Sequence, residues 1–232
     1  MHFRNFRLGL LPHRYAWRIH KLWLTTSLLV LMLGAPLAAA PLTVVALGDS
    51  LTQGYGLAPE DGLVPQLQAW LRAKGADVTL INAGVSGDTT AGGLARTDWA
   101  LVPKTDAVIV ILGGNDLLRG LPPAEARSNL DGILTKTEAR NLPTLLVPMT
   151  APGNYGADYK AAFDAIYPDL AAKHHDLLAT PYLQPIQAQQ DQAAALKTYL
   201  QADGIHPNKA GVALAIETLG PKVLDLLKQA KN

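Results

Sequence analysis

Three residue types that together can break an acyl bond lie far apart in this chain. Ser50 sits in "ALGDSLTQGYG", while Asp203 and His206 share "DGIHPN". A serine hydroxyl is a weak nucleophile until a base takes its proton. Histidine serves as that base when a carboxylate holds its Nδ1–H and leaves Nε2 free. Asp203 precedes His206 by three residues, and Gly204 between them lets the loop fold so that both side chains point the same way. His174 and His175, in "AAKHHDLL", stand at an expected helix end, where imidazoles commonly meet the helix dipole. They read as structural.

The glycines around Ser50 have a competing use, since glycine-rich turns after a strand can cradle phosphate. A Walker loop needs Gly-x4-Gly-Lys-Ser/Thr and a dinucleotide loop needs Gly-x-Gly-x-x-Gly. "GDSLTQGYG" has no lysine and sets Asp49 beside any bound phosphate; "GVSGDTTAGG" is likewise acidic and lacks lysine. Acyl transfer also needs donors where negative charge develops on the carbonyl oxygen. Gly87 in "VSGDT" offers a backbone N–H and Asn115 in "GGND" a carboxamide. Turn formation explains each of these two residues equally well, and on spacing alone both uses stand.

Such residues need a rigid frame. Short apolar runs at Leu42–Leu47, Val78–Ile81, Ala107–Leu112, Thr144–Val147 and, more weakly, Leu177–Thr180 suit buried parallel strands. Helical patterns lie between them. Leu63, Leu67, Trp70 and Leu71 share one face before Gly75, and further helices are expected over Pro122–Arg140, Tyr159–Lys173 and Val212–Leu227. Alternating strands and helices predict one α/β domain with a parallel sheet covered on both faces. Function then belongs beyond the carboxyl ends of the strands. The segments there are "GDSLTQG", "NAGVSGDTT", "GGNDLLRG" and "PMTAPGNYG", which hold most of the Gly, Asn, Asp and Ser clustering.

The first 40 residues are read separately. Arg4, Arg7, Arg14, Arg18 and Lys21 precede an apolar stretch, Leu22–Leu33, and "GAPLAAA" ends in small residues. That is the layout of a signal peptide cleaved near Ala40, leaving a domain over 41–232. Twelve apolar residues fall short of the roughly 20 that cross a bilayer, so no stable membrane span is expected once the leader is cleaved; an uncleaved membrane anchor is the other use of this layout. The leader carries five of the 20 basic residues and none of the 19 acidic ones, so the remainder is acidic by about four charges. Nothing in that balance favours a nucleic-acid partner. The chain has no cysteine, which excludes thiol catalysis and Cys–zinc sites.

Taken in order, "GDSLTQG", "NAGVSGDTT", "GGND" and "DGIHPN" resemble the four blocks of the GDSL/SGNH hydrolases. "GDTTAGGLAR", "LGGNDLLRGL", "PGNYG" and "FDAIYPDLA" are similar to the bacterial periplasmic branch described as multifunctional acyl-CoA thioesterase, lysophospholipase and arylesterase. The resemblance implies a flavodoxin-like three-layer α/β/α sandwich with a five-stranded parallel sheet, the SGNH hydrolase fold. It implies Ser50 as nucleophile and first oxyanion donor, Gly87 and Asn115 as the other donors, His206 as base and Asp203 as its partner. Asp49 becomes a structural hydrogen-bonding residue. No metal and no cofactor is implied.

Leu117, Leu118 and Leu121 follow Asn115, where the family's loop borders the acyl groove; anchoring that loop in the core is the other use for them. Ala151 stands where related sequences tend to have leucine. The expected protein is a periplasmic or secreted monomer acting on acyl esters, thioesters or lysophospholipids. Cytosolic acyl-CoA lies outside that compartment. Its rivals are a carbohydrate O-deacetylase on the same fold, a lipid-binding module without catalysis, and a small-molecule- or phosphate-binding flavodoxin-like domain.

Overall fold

The computed structural model describes residues 40–230; the expected signal peptide lies outside them, apart from Ala40. Five strands form one parallel sheet in the order β2-β1-β3-β4-β5. They are β1 (Leu42–Gly48), β2 (Val78–Gly84), β3 (Ala107–Ile111), β4 (Thr144–Leu146) and β5 (Leu177–Leu178). Val44, Val45 and Leu47 of β1 and every residue of β3 are buried, as strands sandwiched between helices require.

The helices are α1 (Ser50–Gln53), α2 (Leu63–Ala73), α3 (Thr90–Ala100), α4 (Gly114–Leu118), α5 (Pro123–Glu138), α6 (Ala157–Asp164), α7 (Ile166–His174), α8 (Gln184–Gln187), α9 (Gln192–Tyr199) and α10 (Lys209–Ala230). Right-handed crossovers send the chain leftward from β1 through α2 and rightward from β2 onward, so α2 covers one face and α3, α5 and α7 the other. The last helix, α10, returns to pack on α2, and Gly220 leaves room there for the Trp70 ring. This is the three-layer α/β/α sandwich expected from the sequence.

Two elements depart from expectation for local reasons. The helix expected over Tyr159–Lys173 breaks at Ala165, because Pro168 has no N–H for the Asp164 carbonyl and its ring crowds that turn. The last helix begins three residues early, at Lys209, where the Asn208 side chain accepts from the Ala210 and Gly211 N–H groups. Among the described residues no helix is long and apolar enough to cross a membrane.

Register decides where chemistry is possible. Gly48, the last residue of β1, pairs with Gly84 of β2 and with Ile111 of β3. Three strands therefore end level, and the loops that follow them open onto the same edge of the sheet.

Candidate active site

Just past β1, the Asp49 side chain caps α1 by accepting the Leu51 N–H at 3.0 Å. Ser50 thus becomes the first residue of a short helix, with its N–H and hydroxyl at the sheet edge. Its Oγ lies 2.9 Å from His206 Nε2, although 156 positions separate the two. His206 Nδ1 lies 2.6 Å from Asp203 Oδ2. With Asp203 accepting the Nδ1–H, Nε2 is left to accept the Ser50 hydroxyl proton.

The loop carrying the last two residues is tightly made. Asp203 Oδ1 accepts the Ile205 and His206 N–H groups at 2.9 and 3.0 Å, and Gly204 adopts a φ of +68° that a side chain would strain. The His206 hydrogen bond, then the two N–H groups, hold the Asp203 carboxyl down at about 2. The Tyr55 ring lies over His206 with centroids 4.7 Å apart.

Gly87 turns the β2–α3 loop with a φ of +86°, while Asp88 N–H bonds back to the Val85 carbonyl. Neither the Ser50 nor the Gly87 N–H has a hydrogen-bond partner among the described residues. Asn115, in the first turn of α4, donates one Nδ2–H to the Asp88 carbonyl at 2.9 Å. Its other Nδ2 contact, to Asp49 Oδ2, is long at 3.4 Å, so that proton is loosely held. Ser50, Gly87, Asn115 and His206 all line one cleft of about 380 Å³; Asp203 stands behind His206.

The wall of the cleft is mostly apolar. Leu117 and Leu118 line it, with Pro148, Met149, Pro181 and Leu183 from beyond β4 and β5. Leu117 is buried and also anchors α4, while Leu118 is 60% exposed at the mouth. Leu121 is a correction to the expected set. It is not among the lining residues, because the Gly120 turn leads away and both its backbone groups are taken, by Asp116 and by the Tyr159 hydroxyl. Ala151 is buried outside the cleft as well, tied to Asp164 and Lys160; Thr150 and Pro152 face the cleft in its stead. Sequence reasoning placed "PMTAPGNYG" at the functional edge without naming a lining residue in it, and it missed the β5 contribution of Pro181 and Leu183.

The two other histidines do structural work or none. His174 is held between Asp131 at 2.7 Å and Glu138 at 2.9 Å, bracing α7 on α5. Burial pushes its imidazole down, but the two carboxylates outweigh this and the net shift is upward. His175 caps the same helix in the left-handed region. Among the described residues no group of three or more His, Cys, Asp or Glu side chains is placed to hold a metal ion.

Comparison with known proteins decides the family. The model of the GDSL-like lipase/acylhydrolase family matches residues 46–214. The chain belongs to that family. Esterase TesA of Pseudomonas aeruginosa is 38% identical over 190 residues, spanning 82% of this chain and 91% of that protein. The thioesterase 1/protease 1/lysophospholipase L1 of Escherichia coli is 38% identical over 173 residues, 74% of this chain and 78% of that protein. Among solved structures, the SGNH-hydrolase family esterase AlinE4 is 42% identical, with a TM-score of 0.65, over 82% of this chain and 98% of its own. The psychrotrophic esterase EstA from Pseudoalteromonas sp. is 32% identical with a TM-score of 0.72, over 80% and 98%. The chain is accordingly a GDSL-like hydrolase, with the fold of these esterases.

Asp49 sets the pH response of the site's frame. It is 1% exposed, and burial raises its carboxyl from 3.8 to about 6. Between those values the folded state binds more protons than the unfolded one, so this group's contribution to stability falls as pH rises from about 4 to 6. Asp49→Asn keeps the cap oxygen and removes the charge. It is expected to flatten the change in urea midpoint between pH 4.5 and 7; an unchanged slope would contradict the assignment of this titration to Asp49.

Proposed function

We propose that the chain is an exported serine esterase or thioesterase that cleaves carboxylic acyl esters through Ser50, His206 and Asp203. The observation that carries this is the unbroken hydrogen-bonded series from Ser50 Oγ through His206 to Asp203, opening onto an apolar cleft. The names of the relatives add to it: esterase, thioesterase, lysophospholipase and arylesterase. Export rests on the charged and apolar layout of residues 1–40 and on no other observation.

His206 Nε2 takes the Ser50 proton as Oγ bonds to the acyl carbon, and the carbonyl oxygen becomes an oxyanion. The Ser50 and Gly87 N–H groups and the loosely held Asn115 proton receive that charge. The imidazolium, steadied by Asp203, then protonates the departing alcohol or thiol. Water, deprotonated by His206 in turn, attacks the acyl-enzyme and frees the acid. The apolar wall suits an acyl chain, and for that reason lysophospholipids and simple acyl esters are preferred to acetylated sugars as substrates.

The test is a panel of p-nitrophenyl esters of rising chain length, together with labelling by a fluorophosphonate. An adduct on Ser50 and hydrolysis of medium-chain esters are expected; activity confined to acetylated sugars would favour the deacetylase. Asn115→Ala removes one oxyanion donor. It is expected to lower kcat about 10²- to 10³-fold with KM little changed, since the charge it meets exists only in the transition state. Steady-state kinetics showing a KM effect alone would give Asn115 a turn-forming role.

A further inference from the structure

We infer that Arg96, on α3 and the last residue of "GDTTAGGLAR", is the positioning residue of the oxyanion hole. This rests on the serine-hydrolase reading. One guanidinium reaches two strand ends and the loop after β2: Nε donates to Asp88 Oδ2 at 2.6 Å, Nη1 to the Ala83 carbonyl at 2.8 Å, and Nη2 to the Gly48 carbonyl at 2.8 Å. Each contact lies within four residues of an oxyanion donor. Gly48 is two residues before Ser50, Ala83 is four before Gly87, and Asp88 directly follows Gly87. The Asp88 carbonyl in turn accepts from Asn115, and the Gly48 carbonyl also accepts the Val85 N–H. All three donors are therefore referred to one rigid, planar group.

The chemistry requires arginine at this position. The Ala83 and Gly48 carbonyls stand at the ends of neighbouring strands and Asp88 across the turn, so donors must diverge in one plane. A guanidinium does this with five fixed N–H bonds, whereas a lysine ammonium is a single point at the end of a flexible stem. The ion pair with Asp88 is mostly buried on both sides, which shields it from solvent and salt. An oxyanion hole works only when its donors stand within about half an ångström of the productive place, and misplacement by about 1 Å can cost 100-fold in rate. A residue that sets three donors at once is therefore expected to govern kcat.

The experiment compares purified Arg96→Lys and Arg96→Ala with wild type and with Arg127→Gln. The last removes an exposed guanidinium–carboxylate pair far from the cleft and controls for loss of an ion pair as such. The expected result for both Arg96 variants is a kcat 10- to 100-fold lower, KM within about threefold, an equal fall in the fluorophosphonate labelling rate, and partial recovery of Arg96→Ala by millimolar methylguanidinium. A lowered Tm with kcat within twofold of wild type, or a change in KM alone, would make Arg96 a brace of the fold and overturn the inference. Should neither variant fold, Asp88→Asn carries the test, because it weakens the same contact without emptying the site: lower kcat at constant KM is expected, and unchanged kcat overturns it. Ser50→Ala separates the two levels. If that variant stays active, the hydrolase reading fails; if it is inactive while Arg96 variants turn over normally, only the positioning role fails.

Discussion

Ser50→Ala is expected to lower kcat on p-nitrophenyl esters by about 10⁴- to 10⁶-fold and to abolish the fluorophosphonate adduct. The size of the loss follows from the geometry. Ser50 Oγ is the atom that His206 Nε2 addresses at 2.9 Å, and among the described residues no other hydroxyl is hydrogen-bonded to that nitrogen. Alanine is a good residue for the first turn of a helix, and the Asp49 cap does not involve the Ser50 side chain, so the fold should survive. What remains is the cleft with its donors, which can still polarise a bound ester for direct attack by water. A variant retaining more than a tenth of wild-type kcat, with Tm unchanged, would show that the reaction does not pass through a Ser50 acyl-enzyme.

The second large effect is expected at Asp203. Asp203→Asn keeps an oxygen for the Ile205 and His206 N–H groups, so the loop should keep its shape. The amide nitrogen, however, then faces His206 Nδ1, and the imidazole must turn its lone pair there and carry its proton on Nε2. A base already protonated toward Ser50 cannot take the serine proton. A fall in kcat of about 10²- to 10⁴-fold is expected, with KM nearly constant. The carboxylate also matters for stability. Its folded value of about 2 lies below the ordinary 3.8, so its stabilising contribution is complete above about pH 4 and lost as pH falls toward 2. Steady-state kinetics at neutral pH and acid unfolding of both proteins check the two effects separately. If kcat stays within threefold of wild type, Asp203 is a loop-forming residue and His206 is oriented by something else.

Much of this was legible beforehand because the signals are local. Buried strands of a parallel sheet are continuous apolar runs, and β1, β3 and β4 end within a residue of where those runs stop. Asp203 and His206 are three residues apart with a glycine between, so their pairing is a property of one loop. Errors arose where a local pattern met a competing constraint. The helical pattern over Tyr159–Lys173 continues through Pro168, but the proline ring does not tolerate the turn before it. Leu121 has the composition of a groove residue, yet its backbone is claimed by Asp116 and Tyr159, which no spacing rule announces.

By itself, the sequence determined the α/β class, the order of the strand-end loops, and the residue types able to carry nucleophile, base and donors. These follow from periodicity and from chemistry that each segment carries alone. At Gly87 and Asn115, for which local reasoning was evenly divided between a turn and an oxyanion donor, tertiary structure supplies observations that support the donor role proposed above. Among the described residues the Gly87 N–H has no partner and lines the same cleft as Ser50, and the second Asn115 proton is only loosely held. It also selected Leu117 and Leu118 for the cleft wall and left Leu121 out. The physical reason is register. Gly48, Gly84 and Ile111 end level, so loops distant in sequence meet at one edge, where Arg96 draws two of them together.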